Sequence, residues 1–404
     1  MTRWRTMWWV YAGTIAFVLT LLFNARQEAY GPANAGWTPS WPSMKVADVT
    51  PGGPMGKAGV RAGDVLEGAG GQPLAGMPDW FVARAHFERG RPIDLQIQRD
   101  GQHLRLHLII TDSSFRTWNR TQRDSVLALY LARMILLLLA MLVAFGCPQQ
   151  QRSARLAALM FAVGAVAEGY PSSGWAAALH HLPAVLAIPI CLASVSCLLA
   201  PIISIAFCGS FGRFRFSQSC EWLVVVIPTV LFGVPLVASS IAMIYAPSLL
   251  ARPWPTVLTL APVRLIQDIA GVTPLLFLSV WPFYRPAMHG WLLQLWLAMT
   301  VLYFVAGWII LLANYYRAES LQERRRTGAL CTVSVLFGLI ILHNFFVRNW
   351  TGWFGSAPPA LFSRMTFIVE AALFLSAALT LTYYVLSQCV SNQQAQGTAI
   401  KPTM

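Results

Sequence analysis

A chain of 404 residues that is 56% hydrophobic and only 11% charged has too little polar surface to cover a soluble globule of its size, so a membrane protein is expected. The seven cysteines (Cys147, Cys191, Cys197, Cys208, Cys220, Cys331 and Cys389) fall inside or beside apolar runs, which leaves no disulfide framework and no zinc spacing. The net charge of +13 comes from arginines scattered through loops, a topological pattern rather than a nucleic-acid surface, and neither nucleic acid nor a cofactor is expected.

In chain order, the first element is the uncharged run "MWWVYAGTIAFVLTLLF" from Met7 to Phe23, preceded by Arg3 and Arg5. It predicts a transmembrane anchor over residues 1–24 with its N-terminus in the cytoplasm. A signal peptide is the competing reading, since "ANA" at 33–35 fits a small-x-small cleavage site and leaves the later topology unchanged. After a less apolar segment, apolar stretches recur at 125–147, 156–171, 183–208, 221–246, 290–313, 328–347 and 362–388. Counted as spans they make one plus seven.

Alternating them from an outer start at Ser125 puts Arg152, Arg155, Arg213, Arg215, Arg317, Arg324, Arg325 and Arg326 in the cytoplasm. The outer loops keep Arg252, Arg264, Arg285, Arg348 and Arg364, so the bias favours cytoplasmic N- and C-termini. Residues 256–286 contain "TPLLFLSVWPF", short and bounded by proline, and are taken as interfacial or re-entrant. The expected fold class is a membrane all-α bundle of about eight transmembrane helices with one small α+β extracytoplasmic domain. Its parts are the anchor, an outer domain at 36–112, a seven-helix bundle at 125–388 and a polar cytoplasmic tail at 389–404.

Residues 44–111 change character: "MKVADV", "GDVLEGAG", "PIDLQIQRDG" and "QHLRLHLII" alternate in the manner of strands, the last two joined at Asp100-Gly101. A helical stretch, "MPDWFVARAHFERG", stands between the second and third. The run "VTPGGPMGKAGVRAGDVLEGAGGQPL" resembles the signature of bacterial PDZ domains. Gly59 ends the short helix and Gly63-Asp64 turns into a buried strand. The resemblance implies capture of an extended peptide by strand addition. The segment that should supply the carboxylate loop and binding strand, "GWTPSWPS", departs from the family through Pro39 and Pro42, which donate no ladder hydrogen bonds. A groove there would use Trp37, with Trp80, Arg84 and Phe87 as the helical wall at i, i+4 and i+7. The alternative is that Trp80 and Phe87 are core.

Two kinds of PDZ-bearing membrane protease are excluded by missing residues. His180-His181 is followed by Leu-Pro rather than completing an HExxH zinc helix, and no segment has room for a chymotrypsin-like domain. No enzyme is expected. One span, an outer PDZ domain and seven spans resemble the sensor half of bacterial receptor histidine kinases, including those that detect peptide pheromones. "NYYRAESLQERRRTGALCTVSVLFGLI" at 314–340 looks like the arginine-rich loop and following span of those modules. The chain departs from them after Tyr384, where "VLSQCVSNQQAQGTAIKPTM" has no histidine and no output domain.

Ionisable residues within spans are candidate sites by default. Arg133 and Glu370 each lie eight residues from the outer start of their runs, and Glu168 and His343 fall near other outer ends. These four form an expected intramembrane polar cluster with an Arg133 to Glu370 contact, against the plainer reading that Arg133 snorkels. The leading functional expectation is a multi-pass inner-membrane sensor or regulator. Its periplasmic or extracellular PDZ domain binds a peptide or protein, and a separate cytoplasmic kinase or regulator carries the output. The alternatives are a scaffold that recruits a protease, transporter or secretion component, and an enzyme acting on lipid-borne substrates.

Overall fold

The computed structural model describes residues 8–39, 44–74, 77–117, 120–147, 152–166, 173–210, 216–246, 291–325 and 327–332, with short stretches from there to 386. A long helix, α1 (Trp8–Tyr30), carries the N-terminal apolar run and continues through Asn24 to Tyr30. Strands β1 (Trp37–Pro39) and β2 (Val46–Val49) pair antiparallel, with an irregularity at Thr38/Pro39 where proline lacks the ladder N–H. A single turn, α2 (Pro54–Lys57), precedes β3 (Val65–Ala69) and β4 (Gln72–Pro73). Helix α3 (Met77–Ala85) leads to the hairpin β5 (Pro92–Arg99) and β6 (Gln102–Ile109). The four-stranded sheet runs β4-β3-β5-β6, and Lys45 bridges to Val65 beside it.

The alternation in β5 decides which side of that sheet is buried. Ile93, Leu95 and Ile97 point into the core while Pro92, Asp94 and Gln96 are exposed. All eight β5 residues pair with β6 without a slip, because Asp100 and Gly101 both adopt positive φ (51° and 80°) and close a two-residue turn matched to strand twist. Met55, Leu66, Trp80, Phe87, Leu108 and Ile110 complete the core of this α+β unit.

The remaining elements are helical: α4 (Ser114–Thr117), α5 (Arg120–Gly146), α6 (Arg152–Val166), α7 (Trp175–His180), α8 (Ala184–Val195), α9 (Ala200–Cys208), α10 (Gln218–Glu221), α11 (Val234–Tyr245) and α12 (Trp291–Tyr316). Helices α5 and α6 form a hairpin, α1 packs on α5, α6 and α8, and α9 packs on α6 and α12. Their shared core includes Leu136, Val143, Phe161, Trp175, Leu179, Ile190 and Ile205.

The expected count of about eight transmembrane helices is corrected. Among the described residues, one helix, α5 over Val126–Gly146, is long and apolar enough to cross a membrane. The count reaches two if α8 and α9, bent by 62° relative to each other, act as one span. Apolar runs that read as continuous in sequence are cut into shorter pieces. A 3₁₀ turn at Ser196–Leu199 separates α8 from α9, and Pro201 opens the latter. Two π-helical segments, Trp222–Val226 and Thr229–Gly233, flank Pro228 ahead of α11. Helix α6 has 15 residues, about 22 Å, short of the roughly 30 Å apolar thickness of a bilayer. The stretch 256–286 and most of the runs at 328–347 and 362–388 lie outside the described residues. Among the described residues the cysteines depart from expectation at Cys147, which lies just beyond α5 and is disulfide-bonded, whereas Cys191, Cys208, Cys220 and Cys331 are free.

Candidate functional site

The loop signature around Asp64 is built from the backbone outward. Gly59 and Gly63 have φ of 89° and 97°, a region that a side chain disfavours. The turn they make brings the Arg61 N–H to Asp64 Oδ2 at 2.8 Å. Arg99, at the end of β5, donates to both carboxylate oxygens at 2.7 Å and to the Gly59 carbonyl at 2.7 Å. Burial alone would push the Asp64 carboxyl up, but the Arg99 and Arg61 hydrogen bonds outweigh it and hold the group below its ordinary range. The cluster is structural: it pins the 59–64 loop to the far end of the hairpin.

The residues expected to line a peptide groove are placed differently from one another. Trp80 and Phe87 are each only 3% exposed and sit in the core of the α+β unit, their rings 5.5 Å apart edge to face. Trp37, on β1, packs edge-on against Trp80 at 5.2 Å, so an indole occupies the space between β1 and α3. Arg84 leaves this group. Its guanidinium is buried, which lowers its pKa against the opposing pull of Glu28 near the end of α1, and its carbonyl accepts a hydrogen bond from the Gly174 N–H at 3.0 Å. The wall expected at i, i+4 and i+7 is therefore split between the unit's own core and a contact with the helices.

Helix α3 is shared by two cores. Trp80, Ala83 and Phe87 belong to the α+β unit, whereas Val82 and Ala85 belong to the helical core with Trp175, Ala176 and Leu179 of α7. The junction closes tightly at Gly174 (φ 73°), which begins α7. A Cβ there would lie 2.8 Å from the Phe87 carbonyl and 2.9 Å from Pro32. Gln27 of α1 adds a hydrogen bond to the Ser173 carbonyl at 3.0 Å. The α+β unit is thus docked on the helices rather than hung from a linker.

Three histidines line the same junction. His86, just after α3, feels the backbone of Met243 in α11 electrostatically, while its Nε2 is buried with no hydrogen-bond partner among the described residues. His180 ends α7, with its ring 5.9 Å from Tyr245 and 6.0 Å from His181. His181 Nε2 lies 3.5 Å from Glu88, whose carboxylate also accepts from Arg91 at 2.9 Å. Burial first, then the nearby His180, lowers the pKa of His86 in spite of the Met243 contact. Beside this group an open cavity of about 290 Å³ is bordered by Gly70, Gln72, His86, Glu88, Arg91 and Asp94. Its carboxylates are already engaged, Glu88 with Arg91 and Asp94 with His107 at 2.8 Å. No group of three or more His, Cys, Asp or Glu side chains suited to a metal ion occurs among the described residues.

Of the expected intramembrane cluster, Arg133 is described: it is buried on α5, with its guanidinium 5.0 Å from the Tyr130 ring. Glu168, His343 and Glu370 lie outside the described residues, as does any contact between Arg133 and Glu370. Sequence reasoning missed Arg99 as the partner of Asp64 and the gathering of His86 with His180. Both pairs are far apart in the chain, and no local pattern joins them. Compared with known proteins, the chain matches no family model, no curated protein and no solved structure.

Proposed function

We propose that this is a receptor-like membrane regulator in which a PDZ-like unit outside the cytoplasm senses a peptide or protein and passes that state to the helices on which it rests. The observation that carries the reading is the double membership of α3. A helix with Trp80 and Phe87 in one core and Val82 and Ala85 in the other cannot shift against the first without disturbing the second. Trp37 is the natural point of ligand entry, because it is half-buried on a three-residue strand and leans on Trp80. A ligand strand that takes its place would act directly on α3.

Membrane residence is supported by the outer face of α5. Leu127, Leu131, Met134, Leu138, Leu142 and Phe145 are all exposed along one helix, an apolar stripe that water does not favour and lipid does. The proposed output is a separate cytoplasmic kinase or regulator, with the helical part as the relay.

The test is a crosslinking pull-down of tagged full-length protein from native membranes, run beside a deletion of residues 36–112 and an Ala85→Trp variant. Ala85 is fully buried at the junction, so the indole should pry α3 from α7. The expected result is a cytoplasmic partner whose association changes in both variants. Loss of envelope partners alone, with Ala85→Trp behaving as wild type, would instead make the chain a tethered binding module.

A further inference from the structure

From the buried ring nitrogen of His86 at the junction we infer that the docking of the α+β unit on the helices is a pH-sensitive latch, held while His86 is neutral and released when His86 takes up a proton. This goes beyond the relay reading: it rests on the same docked contact but needs no ligand.

His86 is surrounded by groups from each element packed against it. Helix α11 offers the Met243 backbone, which opposes the lowering of its pKa, and Tyr245. Helix α7 offers His180, followed by His181. Its own segment contributes Arg84, a buried cation whose charge is opposed by Glu28 of α1, and Glu88, which is shared by Arg91 and His181. Asp94 of β5 borders the same cavity as His86 but is engaged with His107, and Glu88 faces His181. The Glu88 pair works against release, but at 3.5 Å, with the His181 side chain 59% exposed, it is the weaker contact.

A proton on His86 Nε2 would place a charge on a buried atom that has no hydrogen-bond partner among the described residues. The sign follows from linkage. A histidine with its pKa depressed in the docked state binds fewer protons docked than free, so docking is complete above the ordinary imidazole value of 6.5 and is lost as pH falls below it. Geometry makes this a latch rather than a general acid sensitivity. His103 and His107 lie on the exposed face of the sheet, more than two-thirds exposed and paired with Glu67 and Asp94, away from the junction.

The experiment is hydrogen–deuterium exchange of the full chain in lipid nanodiscs between pH 7.5 and 5.0, corrected for the intrinsic pH dependence of exchange. Residues 80–90 and 174–181 are the reporters and the β5–β6 hairpin is the internal reference. The expected result is that protection of both reporters falls as pH drops below 6.5, by up to about tenfold per pH unit for one linked proton, while the hairpin stays protected. His86→Gln should flatten that response and His103→Gln should leave it intact. Reporter protection that does not change with pH, or a loss that persists undiminished in His86→Gln, overturns the latch. Should His86→Gln fail to fold at pH 7.5, His86→Asn takes its place, with the same flattened pH response expected and an undiminished one counting against the proposal. The pull-down outcome is separate: a pH-released junction in a chain without a cytoplasmic partner would keep the latch and sink the relay.

Discussion

At the scale of single residues, the best-defined chemistry is the carboxylate of Asp64. It is 2% exposed, accepts from Arg99 twice and from the Arg61 N–H once, and holds a loop whose two glycines take conformations other residues resist. Asp64→Ala removes charge-assisted bonds and should cost on the order of 1.5–3 kcal/mol in the stability of the α+β unit, read by thermal unfolding monitored at its tryptophans. The folded pKa lies below the ordinary value of 3.8, so the contribution is complete above that value and fades as pH falls through the folded one. In wild type the acid limb of stability should steepen below about pH 4, and in Asp64→Ala that limb should flatten. An unchanged acid limb would mean that the Arg99 pair does not survive in solution. Sequence pattern marked Gly59, Gly63 and Asp64 through turn chemistry, which is local. The identity of the cation was not legible, because Arg99 lies 35 residues away.

At the scale of elements, α3 and α7 decide how the two parts meet. The backbone of Gly174 passes so close to the Phe87 carbonyl, Gln27 and Pro32 that no side chain fits. Gly174→Ala therefore combines a positive φ with a clash against backbone, and should destabilise the junction by about 1–3 kcal/mol. The matching observation is faster exchange at 80–90 with the β5–β6 hairpin unaffected; equal loss in both would place the damage elsewhere. The alternation in Ile93, Leu95 and Ile97, and the Asp-Gly turn, made the hairpin readable in advance because strand period and turn conformation are local properties. The i, i+4, i+7 reading grouped Trp80, Arg84 and Phe87 on one wall, whereas Trp80 and Phe87 lie in the core and Arg84 at the contact with the helices. Helix period says which residues share a face, but it does not say that Phe87 lies beyond the helix end at Ala85 or that a second core waits on the other side.

At the scale of the whole molecule, the question is which way the chain faces. Helix α5 leaves the α+β unit and α6 returns toward it, so Arg152 and its partner Glu221 mark the end opposite that unit. Two engineered cysteines test this arrangement. His103→Cys, on the exposed sheet face, should add label from a membrane-impermeant maleimide to intact cells above the native cysteine background. Arg155→Cys, exposed near the start of α6, should add label after permeabilisation alone. Cys147 belongs to the same end as Arg155, and a lasting disulfide is characteristic of an oxidising compartment. Labelling of Arg155→Cys from outside would account for that bond and overturn the cytoplasmic assignment of this end.

By itself the sequence determined the apolar character of the chain, the change to strand alternation at 44–111 and the turns that close its hairpin, since each depends on neighbours a few residues apart. Among the described residues, the number of helices fit to cross a membrane was decided by the structure. Hydropathy sums over a window, whereas a 3₁₀ turn, two π segments and a 62° bend divide the windows into short pieces. The fate of the groove was decided there as well, through Trp37 folding onto Trp80, as was the meeting of His86 with His180 across 94 residues of chain. Burial and electrostatic contact are properties of what packs against a side chain, and in this molecule the packing partners come from distant parts of the chain.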